Sequence, residues 1–152
     1  MLARFDRSGA KRVAKDEKIE KLRRVPLFAG FGRRELERLG MLTDEVDLPA
    51  GRVLMQQGDR GEELFVLMRG AARVERDGRE LVGLRASDFF GEIALVDGGP
   101  RTATVTLTED SALLVVGRGQ FQQLLEEFPE VRMQVLEALA RRIRSAETDA
   151  AH

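Results

Sequence analysis

The stretches FGEIAL at Phe90–Leu95 and GPRTATV at Gly99–Val105 place a glycine, a carboxylate and an arginine at a predicted strand-to-helix corner. Gly91 lets the backbone approach an anion closely, because it has no Cβ. The start of a short helix offers unpaired N–H groups to that anion. Arg101 can donate two hydrogen bonds to phosphate oxygens at once. The two stretches therefore indicate a site for a ligand that carries a phosphate.

Glu92 restricts further which ligands suit this site. A carboxylate this close to a phosphate would repel it, unless the carboxylate accepts a hydroxyl proton from a sugar. The combination suits one phosphate and a free sugar hydroxyl. Other interpretations stay open: Glu92 could favour a helix N-terminus, and Arg101 could form a structural salt bridge with it. Thr102 could be an ordinary strand residue.

Composition excludes several classes of function. The chain has 152 residues, enough for one compact domain, and a formal net charge of −1, so its overall charge does not favour nucleic acid. It has no Cys, and its single His is His152, which argues against thiol or His catalysis and against Cys- or His-rich metal sites. It has no Trp or Tyr to stack on bases. We expect a protein that is not an enzyme, holds no metal and does not bind nucleic acid directly.

The sequence also carries no membrane signal. No apolar run reaches the length of a membrane-spanning helix. Met1–Asp16 lacks the apolar centre of a signal peptide. We therefore expect a cytoplasmic protein with no membrane partner.

The middle of the chain has the pattern of an antiparallel β structure, in which turn signals separate short apolar runs. Asp77-Gly78 between two such runs is a strong hairpin signal. This spacing predicts a sandwich or barrel. The runs lie at Val46–Leu48, Val53–Met55, Leu64–Met68, Ala71–Val74, Leu81–Leu84, Ala103–Leu107 and Leu113–Val116.

Helical patterns flank this β region. Met1–Lys11 reads as a loose polar arm, and helices are predicted at Arg12–Arg24 and Arg33–Leu42. Two more helices follow Gly117, and Pro129 suits the first position of the second. We expect three segments: an N-terminal arm and helix at 1–24, a domain at 25–147 and a tail at 148–152.

The last helix carries an apolar face and a group of arginines. It is predicted to run from about 129 to 146. Arg141, Arg142 and Arg144 would lie in its last turns, where cations interact favourably with the helix dipole.

The order of elements and the segment Phe90–Val105 together resemble the cyclic nucleotide-binding domain family. Its members include catabolite-activator-type regulators, protein kinase A regulatory subunits and cyclic nucleotide-gated channels. The resemblance covers roughly Val25 to Ser145, and its most specific part is FGEIALVDGGPRTATV, the phosphate-binding cassette. It implies a mainly β fold with flanking α: an antiparallel, jelly-roll-like β-roll (a double-stranded β-helix) with N-terminal helices and two C-terminal helices.

The resemblance also implies a function, that of a sensor or regulatory domain in signal transduction. Cyclic nucleotide would enter the β-roll, and a hinge near Phe128-Pro129 would let the last helix close as a lid. Within the cassette, each residue would contact either the ribose or the phosphate. Gly91 and Glu92 would contact the ribose, the N–H groups of Ile93 and Ala94 would face the cyclic phosphate, and Arg101 and Thr102 would bind its oxygens.

Three residues outside the cassette match positions near the base. Leu81 and Val82 match wall positions that flank the base or sugar. Arg142 matches a position on the last helix that reaches the base in some bacterial members. Leu81 and Val82 could instead be plain core or strand residues, and Arg142 could belong to a solvated helix end.

We expect cAMP as the ligand, because it is the commoner ligand of the bacterial domains that this chain resembles. cGMP is the alternative, because Thr102 is compatible with both. The last helix has no aromatic residue beyond Phe128 to stack on the base, and Ala146 and Glu147 lack the hydroxyl groups that bacterial activators have nearby. The fold could also serve as an interaction domain that binds no nucleotide. Two partners stay open: a second copy in a homodimer, and an effector domain or protein outside this chain.

Overall fold

Within residues 15–150, nine strands form two antiparallel sheets and five α-helices flank them. The computed structural model describes these residues, apart from the side chains of residues 15, 92–94 and 146–150. The arm predicted at Met1–Lys11 lies outside the described residues. The helices are α1 (Lys15–Arg23), α2 (Arg33–Leu42), α3 (Glu92–Asp97), α4 (Arg118–Glu127) and α5 (Pro129–Ala150), with a 3-10 turn at Pro26–Phe28. The strands are β1 (Asp44–Leu48), β2 (Val53–Met55), β3 (Glu63–Arg69), β4 (Ala71–Arg76), β5 (Arg79–Glu80), β6 (Leu84–Arg85), β7 (Phe89–Phe90), β8 (Thr104–Leu107) and β9 (Ser111–Gly117).

The two sheets form a β-roll. One sheet has the strand order β1-β9-β3-β7, and the other has β2-β8-β4-β5, with β6 also paired to β4. The pairs are antiparallel in both sheets. α1 and α2 precede the roll, and α4 and α5 follow it. This confirms the predicted mainly β fold with helices on either side of it in the chain.

The sheet that contains β3 is buried on both faces, which explains its unbroken apolar runs. Along β3, Leu64 and Val66 belong to the core shared with the helices, whereas Phe65 and Leu67 belong to the core inside the roll. Side chains alternate between the two faces of a strand, so both faces must be apolar when both are covered. β3 therefore separates the helical layer from the roll interior, as does its neighbour β9, whose residues alternate between the same two cores.

α1 packs into the same core as the elements that follow it. Ile19 and Leu22 are buried against apolar side chains of α2. Lys18 Nζ donates a hydrogen bond to the carbonyl oxygen of Gly40, 2.7 Å away, near the C-terminal end of α2. Burial lowers the pKa of Lys18, although the charges of Asp44 and Glu45 act to raise it. The domain boundaries at 1–24, 25–147 and 148–152 stay a prediction.

The hairpin predicted at Asp77-Gly78 is confirmed, and the strand predicted at Leu81–Leu84 is wrong. Asp77 and Gly78 both have positive φ, 54° and 76°, as a type I′ turn requires. After this turn β5 ends at Glu80, and Leu81 still donates a backbone hydrogen bond to Val74 of β4 at 2.8 Å. Val82 and Gly83 belong to no strand, and the chain pairs with β4 again through β6. An apolar run predicts a buried strand, but no layer covers this one, since Val82 is 91% exposed.

α5 begins at Pro129 as predicted but ends later than predicted. It continues past residue 146 to Ala150, so Arg141, Arg142 and Arg144 do not lie in its last turn. Val131, Val135 and Ala138 are buried on the face toward the roll. Within residues 15–150, no helix combines the length and apolarity that a membrane crossing needs.

At the junction between α4 and α5, the α4 side is attached to α2. Phe128, with φ −125° and ψ 88°, interrupts the two helices. Its ring is buried and stacks on Phe31 with 5.2 Å between centroids. On α4, Glu127 accepts two hydrogen bonds from Arg38 of α2, at 2.9 and 2.8 Å. This bidentate pair lowers the pKa of Glu127 and joins α4 to α2.

Candidate functional site

The predicted strand-to-helix corner exists, and Gly91 forms it. β7 ends at Phe90, Gly91 has φ +90°, and α3 begins at Glu92. A Cβ at position 91 would lie 2.8 Å from Arg101 Nη1 and 3.0 Å from the carbonyl oxygen of Glu63. Both the positive φ and the close contacts therefore require glycine here. The backbone of the corner is accordingly packed directly against a buried guanidinium.

Arg101 lies in this corner with its side chain buried, and it is 5% exposed. Its Nη1 donates to the carbonyl oxygen of Gly91 at 3.0 Å, and its Nη2 donates to that of Glu63 at 2.8 Å. The Glu63 carboxylate lies 4.0 Å from Nη2, and the guanidinium carbon is 5.8 Å from the centre of the Phe65 ring. A buried charge needs such partners because it has lost water. The result is a fixed cation beside the N-terminus of α3, an arrangement that suits an anion.

The backbone of Arg101 is held by the loop between β2 and β3. Its N–H donates to the carbonyl oxygen of Asp59 at 2.7 Å, and its own carbonyl accepts from the N–H of Gly58 at 2.9 Å. Arg60 and Pro100 form an isolated antiparallel bridge next to these bonds. These backbone hydrogen bonds therefore join the cassette to this loop and fix the position of the Arg101 backbone.

Arg118, at the start of α4, joins the same loop to the far end of α3. Its guanidinium donates to the carbonyl oxygens of Leu95 and Gly61, at 3.2 and 3.0 Å, and to the Glu62 carboxylate at 3.3 Å. Burial acts to raise the pKa of Glu62, but Arg118 and Arg60 outweigh it and hold that pKa below its usual value. Sequence reasoning missed Glu63 and Arg118, and no motif marks either residue.

The other predicted cassette residues lie next to Arg101 in the chain or at the start of α3. Thr102 follows Arg101 directly and is half-buried, and its carbonyl oxygen accepts a hydrogen bond from Arg76 Nε at 3.1 Å. The remaining three residues form the first turn of α3, and their side chains lie outside the described part of the chain. These residues are Glu92, Ile93 and Ala94.

Val82 and Arg142 lie at a second location, a cavity of about 460 Å³ between α5 and the segment that leads into β7. Arg142 Nη2 donates to the carbonyl oxygen of Phe89 at 3.0 Å, so Arg142 faces the roll rather than solvent. Leu81, 39% exposed, is not part of the cavity lining, and neither is Arg101. The exposure of Leu81 and Val82 rules out a core role for them. The lining consists of Pro26, Leu27, Val82, Gly83, Leu84, Ser87, Asp88, Phe89, Gln134, Ala138, Arg141, Arg142 and Ser145.

A metal site is a separate question, because clustered carboxylates can bind a cation without Cys or His. Among the side chains that the structure describes, no group of three or more His, Cys, Asp or Glu residues is placed to hold a metal ion.

Substitution of Gly91 should be more destabilising than substitution of a glycine with the same backbone conformation in open space. Gly98 provides that control, since it has φ +73° and a Cβ added there would have no heavy atom within 4 Å. Gly98→Ala should cost about 1–2 kcal/mol, the strain of a left-handed residue. Gly91→Ala should cost more in urea unfolding, because the added methyl must displace Arg101 or the Glu63 carbonyl. Equal losses for the two variants would show that the close approach at Gly91 is not a constraint.

Comparison with known proteins places this geometry in a family. The sequence profile of the cyclic nucleotide-binding domain matches residues 45–128. The chain is similar to a CRP-like cAMP-activated global transcriptional regulator of Mycobacterium tuberculosis, with 32% identity over 130 residues, 82% of this chain and 58% of that one. It is similar to the Pycsar effector protein XpPycTIR of Xanthomonas perforans, with 34% identity over 113 residues, 73% of this chain and 37% of that one.

A solved structure from the same group of proteins is also similar to this chain. The crystal structure of the Thermus thermophilus catabolite activator protein matches with a TM-score of 0.74 and 32% identity, over 82% of this chain and 61% of that one. The chain thus spans less than two thirds of the length of each of these relatives. The chain belongs to the cyclic nucleotide-binding domain family, as its sequence predicted.

Proposed function

We propose that this protein is a regulatory sensor domain that binds a cyclic nucleotide, cAMP in preference to cGMP, through its phosphate-binding cassette. The observation that carries the proposal is the buried guanidinium of Arg101, fixed beside the first turn of α3 by Gly91 and Glu63. A fixed cation and a helix N-terminus both attract a phosphate, so together they favour its binding at this corner.

The cassette residues divide the ligand between them in this proposal. The cyclic phosphate binds the Arg101 guanidinium and the N–H groups of Ile93 and Ala94, and Thr102 adds its hydroxyl. The ribose lies against Gly91, and Glu92 accepts a hydrogen bond from its 2′-hydroxyl. Such a division uses the corner at Gly91 for the phosphate and the ribose and leaves the base to more distant residues. In the proposal these are Leu81, Val82 and Arg142.

The preference for cAMP rests on similarity rather than on a contact with the base. The related Mycobacterium tuberculosis regulator is cAMP-activated. A second candidate function, an interaction domain that binds no nucleotide, has one observation in its favour. Arg101 already donates to two carbonyl oxygens of its own chain and lies 4.0 Å from the Glu63 carboxylate. Titration with both nucleotides separates these functions.

The response is proposed to be closure of α5 on the occupied roll. α4 is attached to α2 by the pair of Arg38 and Glu127, so movement is expected at Phe128, where the helices are interrupted. Beyond this hinge, Arg142 reaches β7 through the carbonyl of Phe89, two residues before Gly91. Ligand shifts the position of α5 only if it binds the closed state more tightly than the open one.

A second copy of the chain is the proposed partner for the outer face of α5. Met133, Leu136 and Ile143 are 54–60% exposed. With 3.6 residues per turn, they fall on the side of α5 opposite its buried residues. Their spacing of three and seven residues matches the apolar seam of a two-helix packing. We therefore propose a homodimer through α5.

We infer a regulatory rather than a catalytic role in the cytoplasm, with an effector domain or protein as the further partner. The relatives described above include a transcriptional regulator and an effector protein. This chain covers only part of each, and neither a direct nucleic-acid contact nor a membrane contact is part of the proposal.

Removal of the Arg101 guanidinium should weaken nucleotide binding severely. Arg101→Ala strands a desolvated phosphate charge, so calorimetry should show a loss of about 2–5 kcal/mol for cAMP. Arg101→Lys keeps the charge but not the two-pronged geometry, and should retain part of the affinity. Thermal unfolding of both variants checks the fold. Unchanged affinity in a folded Arg101→Ala variant would refute the site, and no binding by the wild type would favour the interaction-domain alternative.

Saturation with cAMP should protect α5 against amide hydrogen exchange while leaving α2 nearly unchanged. The physical reason is that ligand would hold the closed position of α5, whose residues 139–145 are mostly exposed, whereas the apolar residues of α2 are already buried in the core. Arg142→Ala removes the hydrogen bond to Phe89 and should reduce the protection. The lid mechanism fails if exchange in residues 129–144 is the same with and without ligand.

Replacement of one apolar residue on the outer face of α5 should separate the dimer. Leu136→Glu places a charge in the proposed seam, and light scattering should show a monomer. Leu136→Met preserves the apolar contact and should remain a dimer. If the wild type is a monomer at concentrations well above those of the binding assays, the dimer proposal is wrong.

A further inference from the structure

Thr102 is held in place from outside the cassette by Arg76. Arg76 is the last residue of β4 and pairs with Arg79 across the hairpin turn. Its Nε donates to the carbonyl oxygen of Thr102 at 3.1 Å. The hairpin between β4 and β5 therefore contacts the cassette at the residue whose hydroxyl is proposed to reach the ligand.

Gln57 contacts the turn of this hairpin. Its Nε2 donates to Asp77 Oδ1 at 2.8 Å, and its Oε1 accepts from the N–H of Asp77 at 2.9 Å. The N–H of Gln57 itself donates to Thr104 Oγ1 at 3.0 Å. A single residue thus joins the loop after β2, the turn after β4 and the start of β8. Two reciprocal hydrogen bonds therefore join the turn to that loop at the surface of the domain.

The segment that contains Thr102 is fixed at both ends by the same loop. Arg101 exchanges backbone hydrogen bonds with Gly58 and Asp59, at 2.9 and 2.7 Å. Thr104 is fixed by Gln57 at 3.0 Å. Between these two points, the bond from Arg76 orients the Thr102 carbonyl and with it the residue.

We propose that Arg76 and Gln57 are positioning residues that set the Thr102 hydroxyl relative to the bound nucleotide without touching the ligand. This inference rests on the proposed function of the cassette. A hydrogen bond to the ligand weakens when its donor or acceptor moves out of line. In the proposed function the Thr102 hydroxyl binds the phosphate of either nucleotide. A hydroxyl oxygen can also accept a hydrogen bond from the 2-amino group, which guanine carries and adenine lacks. Loss of its placement should therefore weaken cGMP binding more than cAMP binding.

The test is a calorimetric titration of wild type, Arg76→Ala and Gln57→Ala with cAMP and with cGMP. Each variant should lose about 3- to 10-fold in cAMP affinity, the range expected for one hydrogen bond of ordinary strength, and more for cGMP. Arg79→Ala is the matched control, because Arg79 lies opposite Arg76 across the same turn and is exposed. It should bind both nucleotides like the wild type.

A double-substitution cycle separates positioning from a general effect on the fold. In a Thr102→Ala background there is no hydroxyl to place, so Arg76→Ala should then leave both affinities unchanged. An equal loss with and without the hydroxyl would overturn the inference, as would wild-type affinities and an unchanged cGMP-to-cAMP ratio in Arg76→Ala. The proposed function survives either result, since wild-type binding is measured in the same series. A wild type that binds neither nucleotide overturns both.

Discussion

The site depends on one burial, that of the Arg101 guanidinium. A cation that is 5% exposed is costly to desolvate unless polar groups surround it. The carbonyl oxygens of Glu63 and Gly91 meet this need, and the Phe65 ring lies over the guanidinium. The constraint propagates outward: residue 91 must be glycine, and the loop after β2 must hold the arginine backbone at Asp59. The geometry of the corner at Gly91 is a consequence of where this charge is buried.

β3 links that charge to the rest of the molecule. It begins at Glu63, whose carbonyl accepts from Arg101, and its next residues alternate between the two cores. Arg118 extends the link to α4, since it bonds to both the loop before β3 and the last part of α3. α4 is attached to α2 and ends at Glu127, so contacts run without interruption from the cassette to the break between α4 and α5 at Phe128. These contacts connect the two places physically. Ligand binding would affect α5 through them only if the two places are also coupled in free energy.

Local features were predictable from the residues themselves. The Asp77-Gly78 turn needs positive φ at both positions, and this dipeptide is the favoured one for it. Pro129 starts α5 because its missing N–H is not needed there. The strand predicted at Leu81–Leu84 was wrong, because its burial depends on tertiary structure rather than on the residues themselves. An apolar run shows that residues prefer burial, but not whether another layer is available to cover them, and none covers Val82.

The sequence by itself determined the family and the local corner: a glycine, a helix start and an arginine at the spacing that we propose binds a phosphate. Only the tertiary structure decided which groups hold that corner together. Arg101 reaches a carbonyl 38 residues away, Arg118 reaches that of Gly61, and Arg76 reaches that of Thr102. These partners are backbone carbonyls, and every residue carries one. Residue types therefore contain no signal for such bonds, which exist only once the folded chain has brought a particular peptide group to a particular guanidinium.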